Sequence, residues 1–249
     1  MSELDRERFA EIALSLALKA GDEIMAIYNT DFDVEEKDDK SPVTEADRVA
    51  EALILQGLES EFPALPIVAE EEAAAGRIPE IGDCFVLVDP LDGTREFLSR
   101  NGAFTVNIAL VENGVPVAGI VHAPALKRTF SASLGSGAFE IANDESRLIT
   151  TRTPKAGRLT AVASRSHMDE KTARFLEESG VNETVSIGSS LKFCLVAAGE
   201  ADLYPRYGRT MEWDTAAGHA VLLAAGGSVT TDTGSPFLYG KRNQENDVD

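Results

Sequence analysis

The sequence is poor in basic residues and in cysteine, and it has no long hydrophobic run. Lysine and arginine together number 23 against 42 aspartates and glutamates, so the formal net charge is −19. A chain this acidic has no general electrostatic attraction for DNA, RNA or anionic lipid. A phosphorylated ligand would need a local cationic site or a bound metal ion, and we expect no nucleic-acid partner.

The cysteine content and the N-terminus point to a reducing compartment. Cys84 and Cys194 are too few for a disulfide framework, and each lies in an apolar run that predicts a buried, reduced thiol. The N-terminus is charged, unlike a signal peptide, and no apolar stretch reaches the ~20 residues of a membrane helix. These features predict a cytoplasmic protein with no transmembrane segment. Peripheral contact with the cytoplasmic side of the inner membrane stays open.

Hydrophobic periodicity predicts a single domain over residues 1–249 that changes character half-way. The first half begins with two helices, at 4–28 after a capping box at Ser2 and Asp5, and from a capping box at Thr44 and Asp47 to about residue 60. Strands follow, and in the second half helices and strands alternate. The predicted strands are 66–69, 84–88, 105–111, 115–121, 128–133, 137–142, 160–163, 185–187, 201–204 and 228–230, and the later helices are 169–179, 190–198 and 215–225. We expect subdomains 1–155 and 156–249 to share a cleft.

Acidic residues lie where these elements end or begin. Glu70 follows a short strand, Asp89 and Asp92 follow the strand 84–88, and Asp214 directly precedes the last helix. Asp47 lies in the first turn of the second helix. Such positions open onto clefts in mixed folds. Carboxylates that meet there must hold a proton, pair with a base or bind a hard cation.

An all-oxygen donor set of this kind fits Mg²⁺ better than Zn²⁺, because His122, His167 and His219 lack zinc-ligand spacing. Gly93 permits close backbone approach, and its amide and that of Thr94 would suit a phosphate at a helix start. Each element taken alone also has a structural interpretation. An isolated acid before a helix is usually a cap, and the acids 70–72 are typical of a solvated surface. The residues alone therefore leave both interpretations open.

Two longer motifs resemble a known family. The stretch DPLDGT at residues 89–94, together with WDTAAG at 213–218, resembles the two signatures of the lithium-sensitive, magnesium-dependent inositol monophosphatase superfamily. EE at 70–71 and SPVTEAD at 41–47 fit the same pattern. The resemblance implies an α/β (α+β) fold, a layered αβαβα sandwich of the kind found in inositol monophosphatase and fructose-1,6-bisphosphatase. It also implies a hydrolase whose active site lies between the two halves.

The resemblance implies specific ligands for two or three Mg²⁺ ions. Glu70, Asp89 and the carbonyl of Leu91 would hold one ion. Asp89, Asp92 and Asp214 would hold a second, and a third ion could bind near Glu70.

The same resemblance implies the catalytic groups. Asp47 and Thr94 would orient and deprotonate the attacking water, and Glu70 would be a third catalytic residue. The amides of Gly93 and Thr94 would hold the phosphate that is cleaved.

Further stretches resemble the bacterial 3′(2′),5′-bisphosphate nucleotidases within the superfamily. They are EF at 96–97, RNG at 100–102, SRSH at 164–167, SSLK at 189–192 and LYPRY at 203–207. The implied reaction removes the 3′-phosphate of adenosine 3′,5′-bisphosphate, giving AMP and phosphate in sulfur metabolism and nucleotide recycling. Action on the 5′-phosphosulfate analogue stays open. A 5′-phosphate needs fixed positive charge away from the metal ions, for which Lys192 and Arg206 are candidates. Ser164, His167 and Ser189 are further candidate substrate contacts.

Other interpretations compete with this one. An inositol monophosphatase or a fructose-1,6-bisphosphatase-like enzyme would use the same metal chemistry, but Tyr207 stands where inositol monophosphatases usually carry an acid. A protein that senses metal or nucleotide without catalysis is a third possibility. Lys192 could be a solvated helix charge, and Arg206 could pair with Glu212. We also expect a monomer rather than a dimer, and no strand in the polar stretch 243–249.

Overall fold

The computed structural model describes residues 5–31, 34–36, 42–154, 157–164, 169–241 and 244–246. The helices in these residues are α1 (Arg6–Tyr28), α2 (Glu45–Glu61), α3 (Glu70–Ala74), α4 (Thr94–Leu98), α5 (Glu170–Glu178), α6 (Leu191–Ala197) and α7 (Glu212–Ala224). The strands are β1 (Val34–Glu36), β2 (Pro42–Thr44), β3 (Ile67–Ala69), β4 (Cys84–Asp92), β5 (Thr105–Glu112), β6 (Val115–Ala123), β7 (Arg128–Ser133), β8 (Gly137–Ala142), β9 (Glu145–Ile149), β10 (Leu159–Ser164), β11 (Val181–Ile187), β12 (Thr210–Met211) and β13 (Glu245–Asn246).

A seven-stranded sheet forms the centre of the fold. Its strands follow chain order from β3 to β9, with β3 parallel to β4 and every later pair antiparallel. The predicted hairpin between β5 and β6 is confirmed. Asn113 and Gly114 both have positive φ, 52° and 78°, as a tight two-residue hairpin turn requires.

Strand β4 is buried on both faces, as its continuous apolar run predicts. Phe85 and Leu87 point into one core with α6 and α7, whereas Val86 and Val88 point into a second core with α1 and α2. Helices therefore cover both faces of the sheet. The strand also continues past the predicted end at residue 88 to Asp92, with an irregularity in its pairing to β5 between Asp89 and Asp92.

The layers alternate as the resemblance implies. Strands β10 and β11 form a separate parallel pair. Val162 of β10 packs into the core that contains α6, whereas Ala161 and Ala163 pack with Leu176 of α5 on the opposite face. The order is thus α1 and α2, the large sheet, α6 and α7, the β10–β11 pair, and α5, which confirms the αβαβα sandwich. The boundary between subdomains 1–155 and 156–249 stays a prediction.

Two of the helix starts refine the sequence predictions. The capping box of Thr44 and Asp47 at the start of α2 is confirmed. At α1 the N-cap is Asp5, whose carboxylate accepts from the next N–H groups, whereas Ser2 lies outside the described residues. Helix α7 begins at Glu212 rather than at residue 215, so Asp214 lies inside its first turn.

Several predicted elements were wrong. The predicted strands 201–204 and 228–230 form single bridges only, Ala161 with Leu203 and Thr230 with Pro236. Strand β9 and helix α3 were not predicted. The stretch expected to lack a strand contains β13, which pairs with β12. The pairing of β13 with β12 and the bridge of Leu203 with Ala161 depend on partners more than 30 residues away in the chain, which local periodicity does not report.

The cysteines and the membrane prediction have simple outcomes. Cys194 is buried and Cys84 is half-buried, because Cys84 begins its strand; both are free thiols. No helix in the described part of the chain is both long and apolar enough to cross a membrane.

Candidate active site

Most of the predicted site residues line one cleft of about 1060 Å³. It is lined from the first half by Glu70 and by residues 92–94, and from the second half by Ser189, Lys192, Arg206 and Asp214. Residues more than 100 positions apart in the chain therefore meet, as the predicted shared cleft requires.

Glu70 and Asp89 are neighbours because their strands are parallel. Ala69 of β3 pairs with Val88 of β4, so the next residue in each strand lies at the same edge of the sheet. Asp89 is 1% exposed, and its Oδ1 accepts from the backbone N–H of Leu91 at 3.0 Å. The buried carboxylate is thus fixed against its own turn.

Ser190 joins Asp92 to Asp214. Its backbone N–H donates to Asp92 Oδ2 at 2.6 Å, and its hydroxyl oxygen lies 3.0 Å from the same oxygen. That hydroxyl is also 2.5 Å from the backbone carbonyl oxygen of Asp214. The Asp214 carboxylate itself accepts from the N–H of Met211 at 2.8 Å, which closes the first turn of α7.

Asp47 and Thr94 form a second, partly buried contact. Asp47 Oδ2 accepts from the backbone N–H and the hydroxyl of Thr44, each at 2.8 Å, which fixes the carboxylate. Its other oxygen, Oδ1, lies 3.4 Å from the Thr94 hydroxyl, which is also 3.5 Å from the carbonyl oxygen of Leu91. The structure therefore brings the two residues predicted to orient a water molecule within hydrogen-bonding distance.

Gly93 makes the turn between β4 and α4. Its φ of +95° lies in the left-handed region that glycine tolerates, and a Cβ there would come within 3.3 Å of Ala103 O and Glu96 Oε2. Thr94 is the first residue of α4. The predicted helix start at residues 93–94 is confirmed.

Two cations share the cleft with the acids. Lys192 is 3% exposed and donates from its ammonium to the carbonyl oxygen of Ser189, with the ring centroid of Tyr204 at 5.5 Å. Arg206 donates to the carbonyl oxygen of Arg209 at 3.0 Å. Lys192 is therefore not a solvated helix charge.

The suggested pairing of Arg206 with Glu212 was wrong. The carboxylate of Glu212 is fully buried and accepts from the backbone N–H groups of Gly240 and Lys241 and from the Lys241 ammonium.

The acids of the cleft disfavour one another's ionisation. Burial raises the pKa of Asp89 well above its usual range, and the charges of Glu70, Asp92 and Asp214 raise it further. Burial and the charge of Asp92 raise the pKa of Asp214 to about 7. Arg206 acts in the opposite direction on Asp214 but does not compensate. A cluster of this kind is stabilised by a bound cation.

A model of the inositol monophosphatase family matches residues 5–246. The chain belongs to this family. Members of the inositol monophosphatase family are generally magnesium-dependent phosphatases.

Individual members of the family are similar to this chain over nearly their whole length. It is 45% identical to the 3′(2′),5′-bisphosphate nucleotidase CysQ of Salmonella typhimurium, over 93% of this chain and 94% of that protein. The crystal structure of CysQ from Bacteroides thetaiotaomicron superimposes with a TM-score of 0.82 at 39% identity, covering 96% and 95% of the two chains. The inositol monophosphatase of Anabaena (Nostoc) sp. PCC 7120 gives a TM-score of 0.76 at 30% identity, over 92% of this chain and 86% of that one.

The donors in this family member fit Mg²⁺ by their chemistry. The candidates are oxygens that burial and mutual charge make costly to ionise together. Asn107 Oδ1, on the strand beside Asp92, is buried with no hydrogen-bond partner within the described structure. As placed, no three histidine, cysteine or acidic side chains among the described residues are arranged to hold an ion. The fit to Mg²⁺ therefore rests on the kind of donor atom rather than on their arrangement.

Some predicted residues lie elsewhere. His167 is outside the described residues, as is the side chain of Ser164. Tyr207 lines a neighbouring cavity of about 650 Å³ that also contacts Arg206.

Three supporting residues of this site were not predicted. The sequence predicts Ser190 only as the start of a helix and as part of the SSLK stretch, although it holds both Asp92 and Asp214. Asn107 donates to the Ser190 hydroxyl at 3.0 Å from the adjacent strand. Glu51 lies one turn after Asp47 on the same face of α2, and this spacing is the signal that could have revealed it.

Proposed function

We propose that this chain is a magnesium-dependent 3′(2′),5′-bisphosphate nucleotidase that hydrolyses the 3′-phosphate of adenosine 3′,5′-bisphosphate to AMP and phosphate. The observation that carries the proposal is one cleft that is lined both by acids, Glu70, Asp92 and Asp214, and by two cations, Lys192 and Arg206. A substrate with two phosphates needs both features. The 45% identity to CysQ of Salmonella typhimurium supports the same substrate.

The acids of the cleft are the ligands that we assign to Mg²⁺. Glu70, Asp89 and the Leu91 carbonyl would hold one ion, and Asp89, Asp92 and Asp214 a second, with a third near Glu70. When bound, the ions would lower the pKa of a water molecule and neutralise the charge of the phosphoryl group.

The proton of the attacking water is handled by Asp47 and Thr94. The Thr94 hydroxyl lies 3.4 Å from Asp47 Oδ1, and Asp47 is fixed by its two bonds from Thr44. A water molecule that donates to Thr94 can therefore pass its proton to Asp47. The backbone amides of Gly93 and Thr94, at the start of α4, would hold the phosphate being cleaved.

The second phosphate is bound by the cations. Lys192 and Arg206 would pair with the 5′-phosphate, with the Ser189 hydroxyl as an additional donor. Contacts from Ser164 and His167 remain predictions. Acceptance of a 5′-phosphosulfate, the monomeric state and the cytoplasmic location also remain predictions.

A sugar phosphatase is not the function that we propose. Among solved structures, identity falls from 39% with CysQ of Bacteroides thetaiotaomicron to 30% with the inositol monophosphatase of Anabaena (Nostoc) sp. PCC 7120.

The test measures phosphate release in Mg²⁺ from adenosine 3′,5′-bisphosphate and from inositol 1-phosphate. We expect a much higher kcat/KM for the nucleotide. Lys192→Ala should lower it about 100-fold for the bisphosphate, since a charged hydrogen bond is worth about 1.5–3 kcal/mol, and change it little for a monophosphate. Lys171→Ala, on the exposed face of α5, is the matched control and should behave as wild type.

Two outcomes would contradict the proposal. Equal or reversed specificity in the wild-type protein would exclude a nucleotidase. A Lys192→Ala variant that loses both activities equally would show that the lysine is structural.

A further inference from the structure

Helix α3 is held at its start by a residue from another helix. Its N-cap residue is Ala69, which offers no side-chain acceptor. Instead, the carboxylate of Glu51 on α2 accepts from two consecutive backbone N–H groups, from Glu71 to Oε2 at 2.8 Å and from Glu72 to Oε1 at 3.0 Å. Such N–H groups have no partner within the helix and need an external one.

Glu51 is well placed for this role. It is 4% exposed and lies one helical turn from Asp47, so one face of α2 carries two buried carboxylates, Asp47 beside Thr94 and Glu51 beside α3. The side chain of Glu72 pairs with Arg77. The backbone of α3, rather than its side chains, is therefore what Glu51 holds.

The two hydrogen bonds to Glu51 also fix Glu70, the residue that precedes Glu71. Glu70 is the first residue of α3 and lines the cleft next to Asp89. Strand β3 fixes its backbone on one side and Glu51 fixes the next two residues on the other. A five-residue helix has little stability of its own, so without Glu51 the direction of Glu70 would not be set.

We infer that Glu51 is a positioning residue that aims Glu70 at the metal site. The inference rests on the proposed function only in assigning Glu70 to a metal ion. Substitutions of groups that orient metal ligands typically weaken metal binding 10- to 100-fold.

The test is calorimetric titration of the whole protein with Mn²⁺, which requires no substrate. Glu51→Gln keeps the size of the side chain but turns one acceptor into a donor facing an N–H group. We expect Mn²⁺ affinity to fall about 10-fold. Glu140→Gln is the matched control, because Glu140 on β8 is also a buried carboxylate, 3% exposed, but binds Arg128 on β7 and Arg147 on β9. It should lower the melting temperature and leave Mn²⁺ affinity within twofold.

Glu51→Asp provides a second variant if Glu51→Gln does not fold. It keeps the charge but withdraws the oxygens from the two N–H groups, and Mn²⁺ affinity should again fall. Unchanged Mn²⁺ affinity in a folded Glu51 variant, or an equal loss in Glu140→Gln, would overturn the inference. Absence of Mn²⁺ binding in the wild-type protein would instead contradict the proposed function.

Discussion

Gly188 is expected to be required for stability and full activity, because it packs directly against Glu96 and Ala103 on the opposite side of the cleft. A Cβ at this position would come within 2.5 Å of Glu96 Cγ and 2.8 Å of the carbonyl oxygen of Ala103. Glu96 is buried and the Ala103 oxygen is backbone, so neither has room to yield. In Gly188→Ala the segment that connects β11 to α6 must therefore shift.

The shift reaches Asp92, one of the proposed metal ligands, through a residue only two positions away. Ser190, in the same segment, holds Asp92 at 2.6 Å through its N–H group. Inserting a methyl group into a packed region costs about 1–3 kcal/mol, equivalent to roughly 2–12 °C in melting temperature for a chain of this size. A displacement of about 1 Å near reacting groups can cost about 100-fold in rate. We expect Gly188→Ala to lose 10- to 100-fold in kcat/KM and to need more Mg²⁺ for half-maximal activity.

The matched control is Gly82→Ala, where an added Cβ would have nothing within 4 Å. It should leave stability within about 0.5 kcal/mol and activity unchanged. The measurements are thermal unfolding and Mg²⁺-dependent phosphate release for both variants. If Gly188→Ala kept the wild-type Mg²⁺ dependence and a kcat/KM within twofold of wild type, the reasoning would be refuted. Such a result would mean that a shift at Gly188 does not displace Asp92 through Ser190.

Three further predictions follow from buried groups. Asp214 has a pKa of about 7, so above pH 7 the folded protein bears the full free-energy cost of ionising this buried carboxyl group. Asp214→Asn should therefore raise the melting temperature without metal and at least halve the stabilisation by Mg²⁺ at pH 8. An unchanged Mg²⁺ effect in thermal scans would contradict this prediction. Burial lowers the pKa of His219 from 6.5 to about 4. The stability that the neutral imidazole contributes, about 3 kcal/mol, is therefore fully present above pH 6.5 and is lost as the pH falls toward 4. In His219→Gln, the free energy of unfolding measured in urea should depend less on pH between these values, and an identical pH profile would exclude this role. Cys194, whose pKa burial raises, should react with a thiol reagent only after unfolding, whereas half-buried Cys84 should react in the native protein; equal native rates would contradict the packing described.

Local pattern was sufficient for much of the fold and of the site. The hairpin at Asn113 and Gly114 and the capping box at Thr44 and Asp47 are set by neighbours in sequence. The strand 84–88 was recognisable because both of its faces are apolar. Asp89 and Glu70 could be predicted to share a cleft because each follows a short apolar strand, whereas the parallel pairing that makes them neighbours required the structure.

What could not be predicted depends on distant partners. Helix α3 is too short to show periodicity, and its cap comes from Glu51, twenty residues earlier. Strand β13 is polar and exists through its pairing with β12. Ser190 gave no chemical signal, because its role is to hold Asp92, nearly a hundred residues away. Such roles require the tertiary structure.

Because successive residues of β4 are buried in opposite cores, the positions of its two acids depend on the stability of the whole fold. One strand anchors both hydrophobic cores and then, without interruption, supplies Asp89 and Asp92. Asp89 and Asp92 cannot loosen while the rest of the protein stays intact, since their strand packs into both cores. Heat should accordingly displace these two acids only as the whole molecule melts, and not in an earlier local step.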